Sequence, residues 1–386
     1  MSLSRRNFIR VLGSSAVILA GGGFAFTQID QMPAEAIEGW RGPGPEVTDP
    51  RVRAISYALL APNPHNMQSW TVDLREPGVA AFYCDQTRLL PETDPYARQI
   101  TIGCGCFLET LRIAAAQEGY RADIAYFPQG PWPDMKVGES ALAHLSFVQD
   151  ANVVRDPLFA RILARRSGKI NYEADRPASS EHVAALNSVL AGTPVSFARA
   201  TSPAEVGKLR AIASEAYRIE SGTHRTHMES VDRIRIGADE IARHRDGLFL
   251  RGPMIWLAKT GGLINSQTLA DPNSFAFKSG VDLYTGWIEH TWSFGWMTTA
   301  ANDRATQVET GRAYVRANLK ATEIGLSIAP LSQALQEFPE MQEQMKAILA
   351  ATKTPSGHTL QMFFRMGYAD PVEATPRRRV EDIVRI

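Results

Sequence analysis

GCFLETLRIAAAQEG, residues 105–119, and GRAYVRANLKATEIG, residues 311–325, each open and close on a glycine. Each reads as the end of a long helix. The first spans Ile100 to Gln117, with Gly119 placed to end it, and the second spans Thr306 to Gly325. Aligned glycine on glycine, Arg112 falls on Asn318 and Ala115 on Ala321. Taken alone the match fits an internal duplication, or the chance recurrence of small residues along buried helix faces. The motifs on either side decide between them.

Outward from the first helix, a shorter helix is expected from about Pro50 to Leu60. Pro62-Asn63-Pro64-His65-Asn66 breaks it, and strands follow at Trp70 to Leu74, where apolar residues alternate, and at Ala80 to Cys84. Residues 37–50, rich in Gly and Pro, read as a linker or extended arm. Beyond the first helix, Asp156 and Pro157 form an N-cap pair for a helix carrying Leu158, Phe159, Ile162 and Leu163, stopped at Gly168. Another helix starts near Ser179 or Ser180 and ends at Gly192, and residues 203–245 read as helical and strongly charged.

The composition sets the class. The chain has 386 residues, 44% hydrophobic and 21% charged, which suits one large domain or two ordinary ones and excludes a disordered chain. Its 41 basic and 41 acidic side chains leave no basic surplus, against a general nucleic-acid binder. Three cysteines cannot form a disulfide framework.

The N-terminus carries an address. Ser4-Arg5-Arg6-Asn7-Phe8 precedes an apolar stretch, Val11 to Phe26, diluted by glycines and serines and too weak to span a membrane permanently. The adjacent arginines resemble a twin-arginine export signal, and Ala34-Glu35-Ala36 offers a small-x-small cleavage site. Export in the folded state raises the expectation of a cofactor inserted beforehand.

Three further segments carry chemistry. In Ala61 to Trp70 (APNPHNMQSW), two prolines should hold the backbone extended, so that Asn63, His65 and Asn66 present amides and peptide groups to a ligand; the alternative is a surface turn. Arg165-Arg166-Ser167-Gly168-Lys169 is an anion site or a solvated helix end. Thr375 to Val380 (TPRRRV), if extended, would put Arg377 and Arg379 on one face and Arg378 on the other; otherwise it is a solubilising tail. His224-x-x-His227 lacks a further ligand and reads as a solvated helix face, and Cys104 and Cys106 read as core thiols. There is no G-x-S-x-G, H-E-x-x-H or phosphate loop.

These segments together resemble the nitroreductase family of FMN-binding oxidoreductases, and the twin-arginine start and length resemble its Acg-like branch. APNPHNMQSW resembles the family's Pro-Ser-x-x-Asn-x-Gln-Pro-Trp stretch, RRSGK its Arg-x-Ser-x-Lys/Arg opening, and PRRRVEDIV its closing basic-then-acidic segment. Glu323 to Gln333 resembles its helix-to-loop turn beside the flavin ring. The resemblance implies an α+β, nitroreductase-like fold: a central, mostly antiparallel sheet flanked by helices, internally duplicated as a fused pseudo-dimer. Because the Pro-Asn-Pro-x-Asn segment lies in the first half and RRSGK opens the second, it also implies a single intact flavin site built across both halves. Residues 1–36 would be the signal, 37–150 the first half and 151–386 the second.

Carried over residue by residue, the resemblance implies that Arg165, Ser167, Arg377 and Arg379 hold the FMN phosphate, with Arg166 beside them. Lys169 would lie near the pyrimidine end. Pro62, Asn63, Pro64 and Asn66 would line the ring from the other half, and Pro330, Leu331, Ser332 and Gln333 would face its N5 edge. Asn63, Ser69 and Ser332 depart from the usual Ser, Pro and Glu. No catalytic side chain and no metal are implied. The expected activity is two-electron transfer from an unidentified donor to a small conjugated acceptor of nitroaromatic or quinone type, in the periplasm or another extracytoplasmic compartment, after passage through the twin-arginine machinery. The alternative is a flavin-sequestering protein, with the aromatic, glycine-rich stretch Leu263 to Trp296 as a lid.

Overall fold

The computed structural model describes residues 28–386; the twin-arginine motif and the apolar stretch after it lie outside the described residues. Asp49 accepts the Arg51 amide at 2.8 Å and Pro50 sets the first turn of α1 (Pro50–Ala58). Strands β1 (Trp70–Asp73) and β2 (Val79–Cys84) then pair antiparallel, α2 (Arg98–Gln117) follows, and β3 (Tyr120–Tyr126) and β4 (Ala143–Gln149) close the first half. The second half opens with α3 (Ser180–Ser188) and β5 (Ser196–Arg199). After it come α4 (Pro203–Gly222), α5 (His224–Asp232), β6 (Ile234–Ile236), α6 (Ala238–His244), β7 (Leu248–Leu250), α7 (Pro253–Thr260), α8 (Ser266–Ala270) and α9 (Phe275–Glu289). The chain then returns through β8 (Ser293–Thr299), α10 (Arg304–Glu323), β9 (Ser327–Pro330), α11 (Gln342–Ala351), β10 (Thr359–Gly367) and β11 (Val384–Arg385).

The fold is α+β with mostly antiparallel pairing, divided between a five-stranded sheet, β11-β1-β2-β4-β3, and a four-stranded sheet, β5-β8-β10-β9, rather than gathered in one. The run β1-β2-β4-β3 repeats the order of β5-β8-β10-β9, with α2 and α10 at the same place in each. The segment from α4 to α9 is inserted between β5 and β8, where the first half has only the short turn joining β1 to β2. The last strand crosses over: β11 lies parallel to β1, Val72 opposite Val384.

Helices α2 and α10 are both 20 residues long and pack on one another. A side chain on Gly105 would stand 2.0 Å from the Val308 carbonyl, and one on Gly311 would stand 1.9 Å from the Ile102 carbonyl. Only glycine permits that backbone approach, and the contact is reciprocal. The helices also begin alike. Buried Arg98 on α2 donates to Leu335 O and Gln361 O of the second half, and buried Arg304 on α10 donates to Tyr96 O and Pro133 O of the first. Gly119 and Gly325 end them at positive φ. Trp70 packs on Phe107 in the core beneath the first sheet, and Cys84, Cys104 and Cys106 are buried free thiols.

Several expectations change. Residues 37–50 are not a free arm: Glu38–Arg41 forms a 3-10 turn that buries Trp40, whose indole N–H donates to Thr375 O at 2.8 Å. The Asp156 cap is present but starts only the 3-10 turn Pro157–Arg161. The charged run 203–245 is broken by β6, which pairs with β7. Within the stretch read as a lid, Ser293 to Trp296 is instead buried sheet strand. No described helix is long and apolar enough to cross a membrane.

Candidate functional site

Arg165 and Arg166 follow the turn Pro157–Arg161, and Arg377 arrives on the tail that leads to β11. All three converge on Trp40, with guanidinium carbons 5.8, 3.9 and 5.1 Å from its ring centroid. Arg165 and Arg377 are buried, and both donate to the carbonyl of Leu60, at 2.8 and 3.4 Å. Arg165 also donates to Ser167 Oγ at 3.4 Å. None of the three is in an ion pair among the described residues.

That is electrostatically unfavourable for the protein alone. Burial pushes Arg165 down to about 10, with Arg166 adding to it, and burial with Arg165 and Arg166 as neighbours holds Arg377 well below its usual range. The Nε atoms of Arg166 and Arg377 are buried without a partner. Three cations concentrated in low dielectric with unspent donors are complementary to a multiply charged anion of phosphate size.

The loop after α1 is the other wall. It is not extended: Pro64–Asn66 forms a 3-10 turn, with His65, Asn66 and Gln68 at φ of 45°, 53° and 50°. Left-handed backbone at three non-glycine residues is costly and is held by side chains. Asn63 Oδ1 accepts the Gln68 amide at 2.8 Å, Asn66 donates to Pro376 O at 3.1 Å, and Asn66 Oδ1 accepts from Arg377 at 2.7 Å. The Asn63 side chain thus closes the loop on itself and Asn66 braces it against the arginine tail; Gly103 lies beneath the loop, where a Cβ would meet Pro64 at 3.0 Å. The His65 ring is set among protein atoms with Nδ1 unpartnered; burial, then Lys169 and Arg233, lower its pKa to about 3, so it is neutral.

Lys169 defines the adjoining space. Its side chain is exposed, and desolvation by the surrounding protein lowers its pKa, an effect offset in part by Glu220. Its ammonium is 5.9 Å from the ring of Tyr284 on α9, which stacks on Tyr217 of α4 at 3.9 Å. Gln333 donates to Tyr284 OH at 3.3 Å, and Gln336 donates to Glu220 at 2.7 Å. Burial raises Glu220 to about 7, an effect moderated by Gln336, Gln333 and Lys169. Gly168 fits closely too: a Cβ there would meet Ser327 Oγ at 2.7 Å.

The structure therefore brings together Arg165, Arg166, Ser167 and Arg377, the Pro62 to Asn66 loop braced on Arg377, and Lys169 with Gln333. Pro330 ends β9 opposite Phe364, and Leu331 donates to Phe363 O at 2.9 Å, so the Leu331 amide is occupied within the sheet; Ser332 leads into the turn Gln333–Leu335. Arg379 is not in the cluster. It is exposed and pairs with Asp382 at 3.2 Å, because Val380–Asp382 turns back on it. The tail accordingly does not sort as an extended segment would: Arg378 instead braces the loop, its backbone amide donating to Gln68 Oε1 at 2.8 Å. His227 is committed to Leu269 O at 2.8 Å.

Trp40, Glu220 and Tyr284 were not singled out from the sequence. Glu220 carried a readable signal: it continues the buried positions Val206, Leu209, Ala213 and Ala216 of α4, where an acid is out of place. Trp40 was masked by the glycines and prolines around it.

No family model matches the sequence. Among curated proteins, "Putative NAD(P)H nitroreductase acg" of Mycobacterium tuberculosis is 23% identical over 354 residues, covering 88% of this chain and 96% of the relative. A second protein of that description from the same organism is 24% identical over 349 residues, covering 86% and 89%. Solved structures that match in part include the FMN-dependent nitroreductase NfnB of Mycobacterium smegmatis in complex with NADPH, at 15% identity and TM-score 0.36, covering 59% of this chain and 97% of that one. Another is a nitroreductase with bound FMN from Bacteroides fragilis, at 12% identity and TM-score 0.34, covering 58% and 95%. Along most of its length, this chain is similar to the mycobacterial Acg protein and its nitroreductase-type relative.

Proposed function

We propose that this protein is an FMN-dependent oxidoreductase of nitroreductase type that transfers two electrons to a small conjugated acceptor. The observation that carries the reading is the cluster of buried Arg165 and Arg377 with half-buried Arg166, which has three guanidiniums and no carboxylate partner among the described residues. FMN fits what is there: a dianionic phosphate supplies the missing charge and accepts the unspent donors. Arg165, Ser167 and Arg377 would hold that phosphate, with Arg166 on Trp40 behind them. The exposed position of Arg379 leaves it a secondary, longer-range contribution. Pro62, Asn63, Pro64 and Asn66 would line one side of the ring, and Lys169 the pyrimidine end, with Pro330, Leu331, Ser332 and Gln333 beside it.

Bound FMN would supply hydride chemistry, and the protein would supply placement and field. Lys169 brings positive charge beside the Tyr284 ring, which would favour added electron density nearby. The neutral His65 ring adds no competing charge. Glu220, with a pKa of about 7, can hold or release a proton near neutrality beside Gln336.

The repeated strand order and the reciprocal glycine crossing support a chain made of two fused halves, residues 37–150 and 151–386, acting as a pseudo-dimer with one working site. Arg5 and Arg6 support export through the twin-arginine machinery to an extracytoplasmic compartment. A second reading, flavin storage without turnover, would use the stacked pair Tyr284 and Tyr217, which stands beside Lys169, to shield the ring.

The test is to purify the protein, identify any flavin by its spectrum and mass, and add NADPH without oxygen. Rapid bleaching supports the enzyme. A band reduced only by dithionite supports storage or another donor. Absence of flavin binding, even on reconstitution with FMN, rejects both. Replacing Arg165 and Arg377 together by Ala should abolish retention, and a yellow double variant would remove the phosphate assignment.

A further inference from the structure

The segment just after the export stretch is built into the protein more deeply than a leader should be. Asp30 accepts two backbone amides with its carboxylate, Ala238 N at 2.6 Å and Gly252 N at 2.7 Å. These amides lie at the starts of α6 and α7, so one side chain satisfies donors of two helices in the inserted segment. Six residues on, Ala36 is fully buried and its carbonyl accepts the amide of Arg377 at 2.8 Å. Ala34–Ala36 is itself a 3-10 turn. Trp40 then lies against the arginine cluster and donates to Thr375 O.

A cut after Ala36, the sequence's most visible cleavage site, conflicts with all of this. It would sever Asp30 from both helix starts and leave two helix N-termini uncapped. It would also create an ammonium at Ile37, next to the residue that bonds Arg377, adding a fourth cation to a region already short of anions. The bond is wound into a turn with a buried side chain, unlike the exposed, extended segments that proteases take.

We propose that processing of this protein falls before Asp30, and that residues 30–41 remain part of the folded protein, Asp30 capping two helices and Trp40 acting as a positioning residue of the anion site. Trp40 presents the face of its indole to Arg166, with Arg377 and Arg165 farther out, and its N–H anchors the ring to the tail that carries Arg377. The ring thereby keeps mutually repelling guanidiniums at one place before any anion arrives. Its role toward FMN rests on the function proposed above; its role toward phosphate does not.

Two measurements decide it. The intact mass of the protein recovered from its final compartment should give a first residue at or before Asp30; a functional form starting at Ile37 would overturn the proposal. Full-length Trp40→Leu and Trp40→Phe should then be titrated with inorganic phosphate, FMN and riboflavin, with thermal melts as a check of folding. Trp40→Leu should weaken FMN and phosphate by about tenfold and leave riboflavin, which lacks the phosphate, within about twofold, while Trp40→Phe keeps most of the affinity. Equal weakening of FMN and riboflavin, or no change in either, overturns the positioning role. A wild-type protein that binds phosphate but not FMN removes the flavin reading and leaves Trp40 to be judged on phosphate. One that binds neither removes both.

Discussion

Arg112, Arg312 and Arg316 converge on Glu109, while Arg165, Arg166 and Arg377 converge on Trp40. The first group lies on α2 and α10 themselves, and the second on segments outside them. In the first, a carboxylate only 1% exposed receives Arg112 at 2.7 Å and Arg312 and Arg316 at 2.9 Å each, and Asp156 takes Arg316 again at 2.6 Å. In the second, the centre is an aromatic ring and no carboxylate is present among the described residues. Equal numbers of arginines therefore have opposite consequences: one group is neutralised and serves the fold, and the other stays unsatisfied until something anionic binds.

The repeated helices show how the difference is encoded. With Gly105 laid on Gly311, Glu109 aligns with Val315, Glu309 with Gly103 and Arg312 with Cys106. On one side of the crossing the small Gly103 lets the Pro64 loop approach. On the other, Glu309 and Arg312 fill the corresponding position and bond to each other and to Tyr126. The position that Gly103 leaves open to the loop is thus filled, at its counterpart in α10, by an ion pair.

The neutralised cluster depends most on Glu109. Burial alone would raise its pKa, but Arg112, Arg312 and Arg316 hold it at about 2. A lowered folded pKa gives stability that is present above the unfolded value and lost as pH falls toward 2, on the order of 3 kcal/mol. Glu109→Gln should cost about 3–5 kcal/mol at neutral pH, since three guanidiniums lose the buried carboxylate they share while Arg312 keeps Glu309 and Arg316 keeps Asp156, and should remove that acid limb from denaturant titrations. A loss under about 1 kcal/mol would mean the two clusters are not opposites.

Next is the crossing of α2 and α10. Gly105→Ala or Gly311→Ala puts a methyl about 2 Å from a carbonyl oxygen. Each should cost about 3 kcal/mol or more and weaken phosphate binding too, by calorimetry and anion titration. At the open cluster the sign reverses. Arg165→Met, in protein without ligand, should be neutral or stabilising by about 1 kcal/mol while anion binding is lost. Destabilisation by 3 kcal/mol would show that this cluster, too, is structural.

The smallest effect concerns Glu220. Its folded pKa is raised to about 7 by burial, so its contribution is full below the unfolded carboxylate value and is lost as pH rises through 7. Glu220→Gln should flatten the fall in melting temperature between about pH 5 and pH 8. An unchanged slope would mean that the carboxylate is compensated from another quarter.

Much of this was legible beforehand. Helices α1 and α2, strands β1 and β2 and the glycine ends at Gly119 and Gly325 follow from periodicity and caps that act within a few residues. The basic runs holding Arg165 and Arg377 stand out in the sequence, and it is the family resemblance that puts the two in one site. What stayed hidden was non-local. Nothing near Trp40 says that a residue at position 375 accepts its N–H, or that arginines from two distant segments meet on its ring. The turn of Val380–Asp382 that withdraws Arg379 likewise depends on β11 pairing with β1. A chain segment's face is fixed by its partner strand, and the partner of this one is more than 300 residues away.

That last pairing bears on how the protein is made. The first sheet needs Val384 and Arg385 at its edge, and the arginine cluster needs Arg377. Synthesis delivers these after every other element of both halves, so the first half waits with an open edge while the second is translated. The arginine cluster is consequently incomplete until Arg377 has been made. A ribosome that stalls short of residue 377 releases a chain with the loop, the tryptophan and two of the arginines, but without the residue that joins them.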